Sequence, residues 1–245
     1  MKESNAVILS NTLIARDVWK MELKTDLAVL ARPGQFVEIA LTGFFLRRPI
    51  SVSDTDGDVM TIVYKVMGNG TDAMTGLKPG ETLNLFGPLG QGFPVLEGKE
   101  AVLLLGGGVG VPPLLKTAKA WLAKGKKVDV ALGFNNAADV FYLDAFSQLG
   151  IDAAVATMDG SAGVKGTVLD AVAARGIETD FVMACGPLPM LRAISQKYTD
   201  GYVSLEARMG CGIGVCMGCV VHDAKGTALR VCKNGPVFPI GRVVF

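Results

Sequence analysis

The sequence predicts a β plus α/β chain in three parts: an N-terminal antiparallel Greek-key β-barrel, a C-terminal parallel-sheet domain and a small C-terminal module. Three observations predict it. Short β-like segments separated by turn dipeptides fill residues 1–98, and apolar runs alternate with helix-like stretches over 99–200. Residues 201–245 hold four of the five cysteines and few periodic segments.

Barrel strands are expected at Phe36–Leu41, Val59–Tyr64 and Thr82–Leu85, bounded by the turn signals Pro33-Gly34, Asp56-Gly57 and Pro79-Gly80. One short helix is expected near Thr71–Gly76. Beyond Gly98 come an apolar run at Ala101–Leu105, a glycine-rich turn, a helix over Pro112–Ala123 and a strand at Val128–Phe134. Further strands at Ala153–Thr157 and Asp180–Ala184, with helices at Thr167–Arg175 and Leu188–Tyr198, extend a parallel sheet covered on both faces. The terminal module is too short to hold itself together by a core alone, so a metal or disulfides are expected to organise it.

The 245 residues are 50% hydrophobic and 19% charged, enough apolar material for a globular core. Lys+Arg 24 against Asp+Glu 23 leaves a net charge of +1, which gives no broad field for nucleic acid or an anionic membrane. Mean hydropathy is high at +0.39. Yet the longest uncharged stretch, Ala101–Leu115, is broken by glycines and prolines and falls short of the ~20 apolar residues of a membrane span. The start, Met1 to Asn5, lacks a signal peptide's apolar run, so the chain is expected to be cytoplasmic with no membrane span. The excess hydrophobicity fits a large α/β core or an apolar face covered by a partner chain. His222 is the only histidine, which removes His-based zinc catalysis, two-His iron–sulfur centres and Ser-His-Asp designs.

Cys211, Cys216, Cys219 and Cys232 are separated by four, two and twelve residues. The C-x4-C-x2-C start with a distal fourth cysteine is the plant-type [2Fe-2S] spacing. Gly210, Gly212, Gly214 and Gly218 let the backbone bend around such a cluster and turn N–H groups toward its sulfurs. A structural zinc site would more typically carry two C-x2-C pairs, and only Cys216/Cys219 forms one. Disulfides are disfavoured in a chain without a secretion signal. Zinc and unligated or disulfide cysteines stand as the alternatives.

Arg47-Arg48-Pro49-Ile50-Ser51 offers a guanidinium and, three residues on, a hydroxyl, which at strand spacing reach a phosphate and a ring edge of one extended ligand. A surface turn is the plainer alternative. Gly68-Asn69-Gly70-Thr71 opens the short helix with backbone N–H groups for a diphosphate. Gly87 to Phe93 follows as a further glycine-rich segment.

Arg48-Pro49-Ile50-Ser51 resembles the flavin motif of the ferredoxin reductase superfamily, and Gly68 to Thr71 resembles its phosphate-side motif. Gly106 to Gly110 followed by Pro112-Pro113, and Cys185-Gly186-Pro187 after a strand, resemble its two nicotinamide-nucleotide motifs. Leu205 to Cys219 together with Val231 to Phe238 closely resembles the electron-transfer subunits of dihydroorotate dehydrogenase B. The resemblance spans the whole chain in order. It implies FAD held by Arg48, Pro49, Ile50, Ser51, Gly70 and Thr71 on the barrel, with Val66, Met67 and Gly68 lining the flavin through their backbone. It also implies that Cys211, Cys216, Cys219 and Cys232 ligate a [2Fe-2S] cluster.

Gly106-Gly107-Gly108-Val109-Gly110-Val111 departs from G-x-G-x-x-G at its last position, but its glycines still admit a diphosphate at the helix start. Gly106, Gly108 and Gly110 are therefore candidate nucleotide contacts. Gly133-Phe134-Asn135-Asn136 carries no Arg or Lys for a 2′-phosphate, and Asp139 is near, so NAD is expected. Asp159-Gly160-Ser161 is a further loop at a strand's carboxyl end. Cys185, with Gly186 and Pro187, is expected beside the nicotinamide; as a nucleophile it lacks a histidine to activate it.

A cluster carries one electron and nicotinamide takes a hydride, so a flavin between them accepts singly and donates as a pair. The expectation is an NAD-linked oxidoreductase subunit with no catalytic acid or base of its own. Nothing in the chain looks like a pyrimidine site. By the resemblance, dihydroorotate oxidation belongs to an FMN-containing dihydroorotate dehydrogenase catalytic subunit in an α2β2 heterotetramer. The alternatives are a sulfide dehydrogenase, hydrogenase or transhydrogenase subunit with the same cofactors, a stand-alone reductase feeding an oxygenase, or a non-enzymatic zinc-stabilised binding protein.

Overall fold

The computed structural model describes residues 1–245. Six strands close a barrel: β1 (Lys2–Ala15), β2 (Val18–Lys24), β3 (Phe36–Ile39), β4 (Arg48–Asp56), β5 (Val59–Lys65) and β6 (Thr82–Leu89). They pair antiparallel in the order β1-β2-β5-β4-β3-β6, and β1 returns to β6. A short helix, α1 (Asn69–Thr75), fills the β5–β6 connection. Ile8, Met21, Leu23, Val37, Ile39, Met60, Ile62 and Leu85 point inward and are fully or almost fully buried. Each such side chain contributes on the order of 1.5–3 kcal/mol.

The β1–β2 hairpin carries no sequence signal that marked it. Its reversal uses Asp17 at φ 57 rather than a glycine, and β1 buries only Ala6 and Ile8 among fourteen residues. β3 stops at Ile39, two residues before the expected end, because Leu41 starts the loop to β4.

The second sheet is built from β7 (Ala101–Gly107), α2 (Pro112–Leu122), β8 (Lys127–Phe134), α3 (Leu143–Ser147), β9 (Ala154–Thr157), β10 (Val164–Lys165), α4 (Val168–Ala174), β11 (Val182–Cys185), α5 (Leu188–Lys197) and β12 (Gly201–Ser204). After these come β13 (Val220–His222), β14 (Ala228–Arg230), α6 (Val231–Asn234) and β15 (Val237–Pro239). The sheet runs β10-β9-β8-β7-β11-β12-β15, parallel throughout except for β15 against β12. Alternate residues serve the two faces. Val102, Leu104, Val130 and Met183 pack on α2 around Trp121, while Leu103, Leu105, Ala184 and Val203 pack on α4 and α5 through Val172, Leu191 and Ile194. Thr167 and Asp170 cap α4 reciprocally: the Asp170 carboxylate accepts from the Thr167 N–H at 2.6 Å.

Residues 201–245 depart from the expectation of an appendage without a core. β12 and β15 complete the main sheet, and Leu229, Val231, Phe238 and Val243 join the same buried cluster as Leu105 and Ala184. The β13–β14 hairpin is a two-stranded sheet of its own, packed on that cluster through Leu229 and Val221. No helix is long and apolar enough to cross a membrane.

Barrel and sheet meet along β4 and α2. The Ser53 hydroxyl donates to the Pro112 carbonyl at 3.1 Å and lies 2.9 Å from the Tyr142 hydroxyl, while Lys119 pairs with Asp54.

Candidate functional site

β4 begins at Arg48, so the Arg48-Pro49-Ile50-Ser51 run lies along the strand edge-to-edge with Ile39, Glu38, Val37 and Phe36 of β3. The Arg48 guanidinium sits 4.6 Å from the Phe44 ring centroid and donates to the Leu46 carbonyl. It also lies over Gly70 so closely that a Cβ there would collide with it. Glycine at 70 is therefore what brings the cation onto the first turn of α1. Thr71 holds that turn: its hydroxyl oxygen accepts from the Met67 N–H at 2.8 Å and donates to the Gly68 carbonyl at 3.0 Å. Arg48, Gly68, Gly70 and Thr71 thus come together from two separate stretches of chain. Val66 and Met67 lead into the turn, and Met67 is exposed. A guanidinium over the first turn of a helix is chemistry suited to a diphosphate.

At the carboxyl ends of β7, β8 and β11 lies a cavity of about 410 Å³, lined by Gly107, Gly108, Phe134, Met158, Pro187 and Met190 among others, with Val18 and Lys65 from the barrel. Gly108 and Pro187 reach it. Gly106 and Gly110 stand behind the wall instead, Gly106 against Val111 and Leu132 and Gly110 against the Cys185–Gly186 backbone. They allow the two loops to approach. Gly186 likewise touches Gly107, where a Cβ would lie 3.1 Å from the Gly107 Cα. Asp159 follows Met158 on the rim and turns back on its own loop, accepting from the Ser161 hydroxyl at 2.6 Å and N–H at 2.9 Å. Those bonds hold its carboxyl below the usual range, with the hydroxyl the larger cause.

Cys185 is 3% exposed, and burial, with Glu206 adding to it, pushes its thiol up to about 12. It stays protonated at neutral pH and is no thiolate nucleophile.

The four other cysteines form two close pairs. The Cys211 sulfur accepts from the N–H groups of Val215 at 3.3 Å and Cys216 at 3.4 Å, and the Cys216 sulfur from Gly218 at 3.4 Å. Burial pushes the Cys211 thiol up, but the N–H groups of Cys216, Ile213 and Val215 outweigh it and hold it at about 6. Gly212 and Gly214, at φ 66 and 82, give the loop the left-handed angles that turn these groups inward. Cys219 and Cys232 lie in the core with sulfurs 3.2 Å apart, and the Cys232 N–H points at the Cys219 sulfur. Burial first, then Cys219, pushes the Cys232 thiol up to about 12. Soft sulfurs with N–H groups already aimed at them fit an iron–sulfur cluster, whose sulfurs call for such donors.

Glu38 is a residue that motif reading missed. It is 1% exposed, and neither carboxylate oxygen has a hydrogen-bond partner. Burial raises its carboxyl to about 7 against the opposing pull of Arg47. The only signal was an acid inside the apolar run Phe36 to Leu41.

A family model described as the iron–sulfur cluster binding domain of dihydroorotate dehydrogenase B matches residues 206–244, and one described as an oxidoreductase NAD-binding domain matches 104–196. The chain is 43% identical over 258 aligned residues to the dihydroorotate dehydrogenase B (NAD(+)) electron transfer subunit of Bacillus mycoides strain KBAB4, covering 100% of this chain and 99% of that one. It is 40% identical to the protein of the same name from Shouchella clausii strain KSM-K16, covering 99% and 98%. Among solved structures it is similar to the NADH-dependent reduced ferredoxin-NADP oxidoreductase studied for flavin-based electron bifurcation, at TM-score 0.88 and 33% identity over 98% of this chain and 89% of that one. Phthalate dioxygenase reductase shares the fold, at TM-score 0.65 and 18% identity over 97% and 77%.

Proposed function

The chain belongs to the family of dihydroorotate dehydrogenase B electron-transfer subunits, and from that premise we propose how its residues divide the work. It is an NAD-linked flavin and iron–sulfur oxidoreductase subunit that serves a catalytic partner subunit oxidising dihydroorotate. When bound, the cluster exchanges single electrons, the flavin pairs them, and NAD takes the pair as hydride.

We assign residues 1–98 to FAD, 99–200 to the nicotinamide nucleotide and 201–245 to the [2Fe-2S] cluster, the last part sharing the sheet of the second. On the barrel, Arg48 neutralises the FAD diphosphate over the Gly68–Thr71 turn, while Pro49, Ile50 and Ser51 present the strand edge to the ring. Val66 and Met67 face the flavin through their backbone. Gly108 and Pro187 line the nucleotide cavity, Gly106, Gly110 and Gly186 let its two loops close, and Asp159 stiffens the loop that follows β9 beside Met158 of that cavity. Cys185 supplies a small neutral neighbour to the nicotinamide. Hydride passage then needs alignment rather than a proton relay, because a stacked donor and acceptor react without an acid or base.

Cys211, Cys216, Cys219 and Cys232 ligate the cluster. The observation that carries this reading is the set of N–H groups already directed at the Cys211, Cys216 and Cys219 sulfurs. Cys216 is exposed, with Val215 and Met217 exposed beside it, so a cluster held there would be reached by the partner from this side. The partner carries FMN, the complex is an α2β2 heterotetramer, and both work in the cytoplasm. The test is to isolate the complex anaerobically. FAD with equal amounts of iron and acid-labile sulfide, and orotate reduction by NADH, are the expected results; stoichiometric zinc in place of iron would refute the assignment.

A further inference from the structure

β3 divides its side chains between two interiors. Val37 and Ile39 enter the barrel core, whereas Phe36 packs with Leu89, Cys219 and Cys232 in the core that carries the cysteine segment. Glu38 shares a face with Phe36, two residues away on a strand. It therefore points at the cysteine segment, and contacts agree: a Cβ on Gly212 would lie 2.8 Å from Glu38 Oε1 and 2.9 Å from its Cγ. Gly212 directly follows Cys211. On its other side, Glu38 pairs through the backbone with Pro49 of β4, inside the stretch assigned to FAD.

A carboxyl this buried ordinarily has a cation or donors. Here the nearby guanidinium groups are engaged elsewhere. Arg47 reaches the Glu38 carbonyl but puts its other nitrogen 2.7 Å from Glu3, and Arg48 is taken by Leu46 and the Phe44 ring. Phe86 and Leu89 of β6 bring no charge to the same place. Stability alone would favour an apolar residue at 38.

We propose that Glu38 is a positioning residue for electron transfer: its unpaired carboxylate, lodged between the flavin strand and the cysteine loop, sets the cluster's reduction potential relative to the flavin's. The inference rests on the assignment of the cluster to the four cysteines and of FAD to the Arg48 strand. Glu38 touches the loop that follows Cys211, so at pH 8, where the carboxyl is ionised, its negative charge disfavours an added electron on the cluster more than on the flavin. Electron passage from cluster to flavin is thereby favoured. Each passage moves one electron and makes or breaks no bond.

The test is a redox titration of the full chain with both groups bound, followed by the paramagnetic signal of the reduced cluster at pH 8. Glu38→Gln keeps the shape and removes the charge. At the ambient potential where the wild type is half reduced, the ratio of reduced to oxidised cluster in this variant should be about tenfold higher, which is about 59 mV for one electron. Glu38→Asp keeps the charge and should stay within about threefold of the wild type. Glu38→Met, apolar and similar in length, should reproduce the Gln result. A Gln variant that titrates with the wild type, or Gln and Asp variants that shift alike, would overturn the inference and leave the cofactor assignment standing. A wild-type chain with no such signal would overturn the assignment itself.

Discussion

The sulfurs of Cys219 and Cys232 approach to 3.2 Å within a core shared with Phe36, Leu89 and Leu105, so the inner half of the cysteine site is anchored by barrel and sheet together. Cys211 and Cys216, by contrast, ride on a loop of four residues between them that is held by its own N–H groups. Replacing Cys232 by Ser should therefore remove the iron while leaving the flavin, because Arg48 and Gly70 lie on other elements. Iron content and NADH oxidation with an artificial acceptor are the two readouts, and parallel loss of both would contradict this separation.

Arg48→Ala should lower FAD affinity by one to two orders of magnitude, about 1.5–3 kcal/mol for a charge-assisted contact to phosphate. Gly70→Ala should do much the same while keeping the arginine, since its methyl group displaces the guanidinium. Bound flavin per chain after gel filtration decides it, and full retention in both variants would remove Arg48 from the site.

Gly186→Ala should raise the KM for NADH about tenfold or more, because the added carbon meets Met190 Cε and the Gly107 backbone at the mouth of the cavity. FAD and iron contents should not change. Steady-state kinetics with an artificial acceptor would show it, and an unaltered KM would place the nucleotide elsewhere.

Asp170→Asn should cost about 1 kcal/mol, the usual size of an N-terminal helix cap. For a chain of this length that lowers Tm by about 2–4 °C. The Thr167 N–H first, then its hydroxyl, hold the Asp170 carboxyl below its ordinary range. Its stabilisation is therefore present above the unfolded carboxylate pKa and is lost as pH falls through the lowered folded value. The difference in Tm between wild type and variant should accordingly shrink in acid, and a constant difference would contradict the cap.

Much of the architecture was legible because its signals are local. Ala101–Leu105 is an uninterrupted apolar strand next to glycine, Val128–Phe134 is a mostly apolar one broken by Asp129 and Gly133, and Pro112-Pro113 marks a helix start that the structure places at Pro112. What stayed hidden depends on distant partners. β15 has only three residues, and only its pairing with β12 makes it part of the sheet. The β1–β2 turn hid behind an aspartate where a glycine would have announced it. At the site, cysteine spacing was readable but the direction of the N–H groups was not. Glu38 could not be singled out, because its meaning comes from Gly212, 174 positions along the chain, packing on it.

We propose that nicotinamide cavity, flavin strand and cysteine cluster form one conducting line. The direct measurement is to mix the anaerobic, FAD- and iron-loaded chain with NADH, freeze it within seconds and record the iron signal. A flavin bleached together with a reduced-cluster paramagnetic signal is the predicted result; a bleached flavin beside iron that stays oxidised, or no iron signal even after chemical reduction, would contradict it.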